Sequence, residues 1–77
     1  MNNKVKLIMS EVLEIPVDSI TIKSSSQNIQ TWDSLKHMNL VITLEEEFKV
    51  SFDEDEMPEI QSFEKIITAL ENHLAKT

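Results

Sequence analysis

Apolar residues fall at helical offsets in three stretches of the 77-residue chain, separated by segments in which that order is lost. In the first, 3–14, Val5, Ile8, Met9, Val12 and Leu13 share one face, with Lys4, Lys6, Ser10, Glu11 and Glu14 mostly opposite, which predicts an amphipathic helix. Pro16 ends it, because the residue before a proline avoids the α region. In the second, 34–48, Leu35, Met38, Val41 and Ile42, together with Leu40, Leu44 and Phe48, cover more than one narrow stripe, so this helix is expected to be contacted from two sides. The third, 62–74, buries Phe63, Ile66, Ile67, Leu70 and Leu74 and is capped by Ser62.

Between the first two helices the periodicity disappears from Pro16 to Trp32, and Lys23-Ser24-Ser25-Ser26-Gln27-Asn28 reads as exposed loop. Ile15, Val17, Ile20, Ile22 and Ile29 punctuate this connection and are expected to pin it to the core. Connections of this length in a compact unit are uncommon and are often functional. Val50 and Phe52 form a short extended link, and Asp53-Glu54-Asp55-Glu56-Met57 predicts one helical turn before Pro58. The alternating carboxylates of that turn lack the glycine and the spaced terminal ligand of a calcium loop, so it reads as a solvated acidic turn with no metal.

Composition sharpens the picture. The length suits one unit, 1–77, that buries only about 60% of its unfolded surface. With no glycine, turns and helix ends must be built from Asn, Asp, Ser and Pro. With no cysteine, disulfides, thiolate metal sites and a cysteine nucleophile are all excluded, which suits a reducing cytoplasm. The opening residues predict no secretory leader and no stretch reaches the length of a membrane span. Seven basic against fourteen acidic residues give a net charge of −7, the wrong sign for nucleic acid or an anionic bilayer. The charge points to protein partners with basic surfaces, met in trans by a monomer.

The chemistry concentrates at Trp32-Asp33-Ser34-Leu35. Asp33 is placed to cap the second helix, and a serine on the first turn presents its hydroxyl beside free backbone N–H groups and the positive end of the helix dipole. An anion attached there is favoured. No base and orienting acid accompany Ser34, so a hydrolytic triad is excluded and no catalytic residue is assigned.

In the Asp33-Ser34-Leu35 tripeptide, in Leu40 and Leu44 after it, in Glu45-Glu46-Glu47-Phe48 closing the helix and in the whole order of elements, the chain resembles the acyl carrier protein family. The resemblance implies an all-α four-helix bundle with three longer helices, a short third helix and a long loop between helices one and two. It also implies a 4'-phosphopantetheine arm joined covalently to Ser34 by a phosphopantetheinyl transferase, with Asp33 a further contact for that enzyme and its metal ion. The arm would carry thioester-bound acyl or aminoacyl groups between loading and transfer enzymes, read through Leu35, Met38, Glu45, Glu46 and Glu47. The protein itself would catalyse nothing.

The Trp before Asp33 and His37-Met38 after Lys36 look like carriers of secondary-metabolic or surface-glycan pathways. Lys36 and Asn39 stand where fatty-acid carriers are commonly acidic, and Thr31 where the family signature has glycine. Trp32 reads as core packing ahead of a contact for partners, and His37, one turn after Ser34 on the same face, as a solvated side chain ahead of a contact for the phosphate or a partner. Met38, Val41, Met57, Ile60 and Ile67 read either as walls of a cleft for an acyl chain or as core. The competing function is an unmodified acidic helical adaptor that recruits a basic partner.

Overall fold

The helix boundaries follow from local chemistry, and a computed structural model describes residues 1–75. The last two positions of the expected 1–77 unit lie outside the described residues. The first helix, α1, spans Asn2–Leu13 and buries Val5, Ile8, Met9 and Leu13, with Val12 half-buried. It ends in the left-handed conformation of Glu14 (φ 58°), whose N–H returns to the Ser10 carbonyl. The second helix, α2, spans Ser34–Phe48 and ends the same way at Lys49 (φ 56°). Glycine normally takes this position because a Cβ there costs about 1 kcal/mol. Lys49→Gly is therefore expected to raise the melting temperature by about 4–8 °C, measured by thermal denaturation. An unchanged or lower midpoint would remove the strain from the account.

The third helix, α3, spans Phe63–Ala75. The Ser62 hydroxyl accepts from Lys65 N–H at 3.1 Å, which is the expected cap. Phe63, Ile66, Ala69 and Leu70 are buried, whereas Leu74 in the last turn is exposed, contrary to the pattern-based expectation. α1 packs on both α2 and α3, and Leu13, Leu40, Leu44, Ile66 and Leu70 meet in a fully closed core.

The all-α architecture stands among the described residues, with one correction. The one helical turn expected over 53–57 is present, closed by Met57 N–H to the Asp53 carbonyl at 3.2 Å, and a second turn follows from Ile60 N–H to Glu56 at 3.2 Å, but the two do not join into the short third helix that the resemblance implied. Pro58 has no N–H to continue a helical ladder, which breaks the run between the two turns. Glu56 helps close the turn instead, its carboxylate accepting from Asp53 N–H at 3.0 Å and facing His73 Nε2 at 2.9 Å.

The connection from α1 to α2 holds a 3₁₀ turn, Val17–Ser19, and buries Ile20. Ile15, Val17 and Ile29 are half-buried, but Ile22 is 56% exposed and pins nothing. The serine stretch is less exposed than its composition suggests. Ser24 is buried, its hydroxyl accepting from Thr21 N–H at 2.8 Å, and its carbonyl takes the otherwise orphaned Phe63 N–H at 2.9 Å. Ser26 N–H donates to the Gln61 carbonyl at 2.9 Å, so the loop is stapled to the start of α3. The Cα radius of gyration, 11.3 Å, matches the roughly 11.5 Å of a compact chain of this length, so the long connection lies on the bundle.

Candidate functional site

The site forms where this stapled loop delivers the chain to α2. Asp33 leaves the loop in extended conformation (φ −104°, ψ −174°), and its carboxylate accepts from Lys36 N–H at 2.8 Å. Its own carbonyl takes the first helical bond, from His37 N–H at 2.8 Å. Ser34 is thereby the first helical residue. It is exposed, as is Leu35 after it, and the Ser34 hydroxyl has no hydrogen-bond partner among the described residues. The capping carboxylate serves Lys36, so the Ser34 and Leu35 N–H groups remain directed out of the helix mouth. These groups and the helix dipole fit a phosphodiester on the Ser34 oxygen.

The cap is a testable feature of this geometry. Asp33→Ala is expected to cost about 1 kcal/mol and lower the melting temperature by about 4–8 °C, while Asp33→Asn keeps an accepting oxygen and most of the stability. Equal losses in both variants would show that the bond to Lys36 N–H is not what holds the helix start.

On the outward side of α2, Leu35, Met38 and Ile42 are 70%, 51% and 47% exposed, while Leu40, Val41 and Leu44 face the core. The two apolar stripes inferred from the sequence are both present, but only one is covered by the protein itself. Glu46 and Glu47 are exposed. Glu45 departs from the expected acidic patch: it is half-buried, and its Oε2 accepts from Phe52 N–H at 2.8 Å, tying the extended link to α2.

Lys36 Nζ reaches across to Glu14 Oε2 at 2.8 Å, at the C-terminal end of α1. The hydrogen bond from Lys36, and then its charge, hold the Glu14 carboxyl below its ordinary range. A lowered carboxylate pKa contributes stability above that range, and the contribution is lost as pH falls through it. Both side chains reach solvent, so the pair is a weak, salt-sensitive one.

Trp32 is buried, as expected, but His37 is not a solvated side chain. Trp32 Nε1 lies 3.0 Å from His37 Nδ1, and His37 Nε2 lies 2.6 Å from the Met57 carbonyl. An indole nitrogen only donates and a carbonyl only accepts, so the ring is the tautomer that carries its proton on Nε2. The rings of Trp32 and His37 also stack, with centroids 6.0 Å apart. The imidazole thus joins the loop, α2 and the 53–60 turns, with neither nitrogen left for a phosphate. Sequence reasoning missed this clasp, although an indole placed in the core always signals a donor that needs an acceptor nearby.

Beside Ser34 runs an open groove of about 510 Å³ whose walls include Trp32, His37, Met38, Met57, Pro58 and Gln61. Met38 and Met57 are thus found beside the serine, whereas Val41 and Ile60 are buried in the core and Ile67 is half-buried against it. The five residues do not line one common cleft.

The family model of a phosphopantetheine attachment site matches residues 3–70, from the start of α1 through the Ser34 turn and α2 into α3. The chain belongs to the acyl carrier protein family. Among curated relatives, the carrier is 31% identical over 75 residues to the acyl carrier protein of Buchnera aphidicola subsp. Schizaphis graminum, covering 94% of this chain and 95% of that one. It is 29% identical over 73 residues to acyl carrier protein 3 of Ralstonia nicotianae, covering 95% and 84% respectively. Among solved structures, holo acyl carrier protein from Geobacter metallireducens superposes with a TM-score of 0.85 at 27% identity, covering 97% of this carrier and 86% of that chain. By this membership the protein is a carrier and not an enzyme, and its cofactor is covalent phosphopantetheine. Carriers of this kind engage a phosphopantetheinyl transferase and acyl-handling enzymes. No described helix is long and apolar enough to cross a membrane.

Proposed function

We propose that Ser34 is the attachment point of the arm and that the carrier shuttles acyl or aminoacyl groups between enzymes of a specialised pathway rather than primary fatty-acid synthesis. The observation that carries the attachment point is the exposed Ser34 hydroxyl on the first turn of α2, beside N–H groups that the Asp33 cap leaves free. In the modifying reaction the Ser34 oxygen forms a new ester bond to phosphorus, the pyrophosphate of coenzyme A breaks, the nucleotide leaves and the hydroxyl proton passes to the transferase. The bound group supplies a thiol on a flexible arm, where cargo rides as a thioester.

Asp33 holds the helix start and presents its second oxygen to the transferase and its metal. Leu35 and Met38 form the apolar centre of the partner surface, with Glu46 and Glu47 as its charged end and Glu45 bracing the helix from inside. The specialised role is supported by the neutrality of α2 near the serine, where Lys36 is paired with Glu14 and Asn39 carries no charge. The carrier is taken to act as a cytoplasmic monomer of one unit, 1–77, meeting each partner briefly through a polar, charge-guided interface.

The test is an intact-mass spectrum of protein purified from its native cell, followed by peptide mapping. The expected result is a mass raised by one phosphopantetheine, with or without cargo, mapped to Ser34. Native protein that stays unmodified while competent transferases are present would reject the reading in favour of an unmodified adaptor. Reversing Glu46 and Glu47 to lysine is expected to raise the KM of the transferase several-fold and to flatten its salt dependence, measured by steady-state kinetics at low and moderate salt. Unchanged kinetics would remove these two residues from the partner surface.

A further inference from the structure

The groove beside Ser34 lies between the start of α2 and the 53–60 turns, the most direct way into the bundle for a hydrocarbon chain tethered at that serine. His37 spans that way in. Its ring takes the Trp32 indole N–H on one side at 3.0 Å and donates to the Met57 carbonyl on the other at 2.6 Å. Behind it the packing is closed: Leu40, Leu44, Ile66 and Leu70 are each 0% exposed, and Val41 and Ile60 are only 1% and 4% exposed. In front of it lies the open groove beside Ser34, whose lining mixes Met38, Met57 and Pro58 with the polar Ser26, Asp33 and Gln61. Ser26 and Gln61 already bond to each other at 2.9 Å, and Gln61 also donates to the Pro58 carbonyl at 2.9 Å, so this rim is braced.

A chain entering the core from this groove must therefore break both hydrogen bonds of the His37 ring at half-buried positions and leave an indole N–H and a carbonyl without partners. It must also displace side chains packed at crystal-like density. A short or polar cargo faces neither cost in the groove. We propose that the Trp32–His37–Met57 clasp makes this a carrier of short or polar acyl groups, which ride in the open groove while the core stays shut, with His37 as the specificity-determining residue. The proposal rests on Ser34 being the attachment point.

The test compares acetyl- and octanoyl-phosphopantetheine, loaded from the matching coenzyme A thioesters by a broad-specificity transferase onto the full chain, its His37→Ala variant and its Trp32→Phe variant. Trp32→Phe removes the N–H donor while keeping an aromatic ring in the core, so it remains informative if His37→Ala folds poorly. The readouts are intact mass, melting temperature, and the backbone amide shifts of Leu40, Leu44 and Leu70. In the unaltered protein the octanoyl and acetyl forms are expected to melt within about 2 °C of each other with unchanged core shifts, since burial of several methylenes would move the midpoint by more than about 5 °C. In the variants the octanoyl form is expected to gain stability over the acetyl form and to shift the three core amides. An unaltered protein whose octanoyl form gains more than about 5 °C and shifts those amides would overturn the proposal, as would variants that behave like the unaltered protein. Failure to gain mass would instead reject the Ser34 reading itself, and the two failures are separated by the first readout.

Discussion

Ser34→Ala is expected to abolish the mass gain on incubation with coenzyme A and a broad-specificity phosphopantetheinyl transferase, while leaving the helical circular dichroism intact. The loss should be complete, because the proposed ester forms on the Ser34 oxygen and alanine offers none. The fold should hardly notice. Ser34 is exposed, its hydroxyl bonds to none of the described residues, and the cap bond is made by Asp33. Alanine is also the better helix former, so the change in stability is expected to lie within about 0.5 kcal/mol. A modified Ser34→Ala protein would move the attachment elsewhere, and an unfolded one would show that Ser34 holds the structure in a way its exposure conceals.

The second large effect comes from the same helix and has the opposite character. Leu44→Ala removes a fully buried side chain and is expected to cost about 3–5 kcal/mol, the usual range where the surroundings relax incompletely. A chain of 77 residues has a total stability of roughly 4–12 kcal/mol, so this one change consumes much of it. Thermal denaturation should show a midpoint lowered by about 12 °C or more. Leu35→Ala, at a position 70% exposed, is expected to leave the midpoint almost unchanged and to weaken partner turnover instead. Equal destabilisation by the two would contradict the assignment of inner and outer faces to α2.

The comparison of these two leucines marks the limit of sequence reading. The pattern of α2 showed two apolar stripes, and nothing local distinguishes a stripe covered by α1 from one left bare. The decision is made by where the other elements pack. Glu45 illustrates the same limit: three consecutive glutamates look alike along the chain, yet only the first meets Phe52 N–H. Ser24 and Ile22 invert their expected burial because the loop turns back on α3, where an orphaned N–H at a helix start needs a carbonyl.

What the sequence by itself determined are the features governed by contacts within about one helical turn: the apolar period of the three long helices, the stop before Pro16, the Asp33 and Ser62 caps, and Ser34 on the first turn of α2. Each depends on neighbours three or four residues away, so the residues carry their own explanation. The tertiary structure alone decided the clasp of Trp32, His37 and Met57, the turns that replace a helix at 53–60, and which leucines of α2 meet solvent. Those outcomes rest on polar groups finding partners and apolar faces finding cover across long separations, and that pairing exists only once the chain has closed on itself.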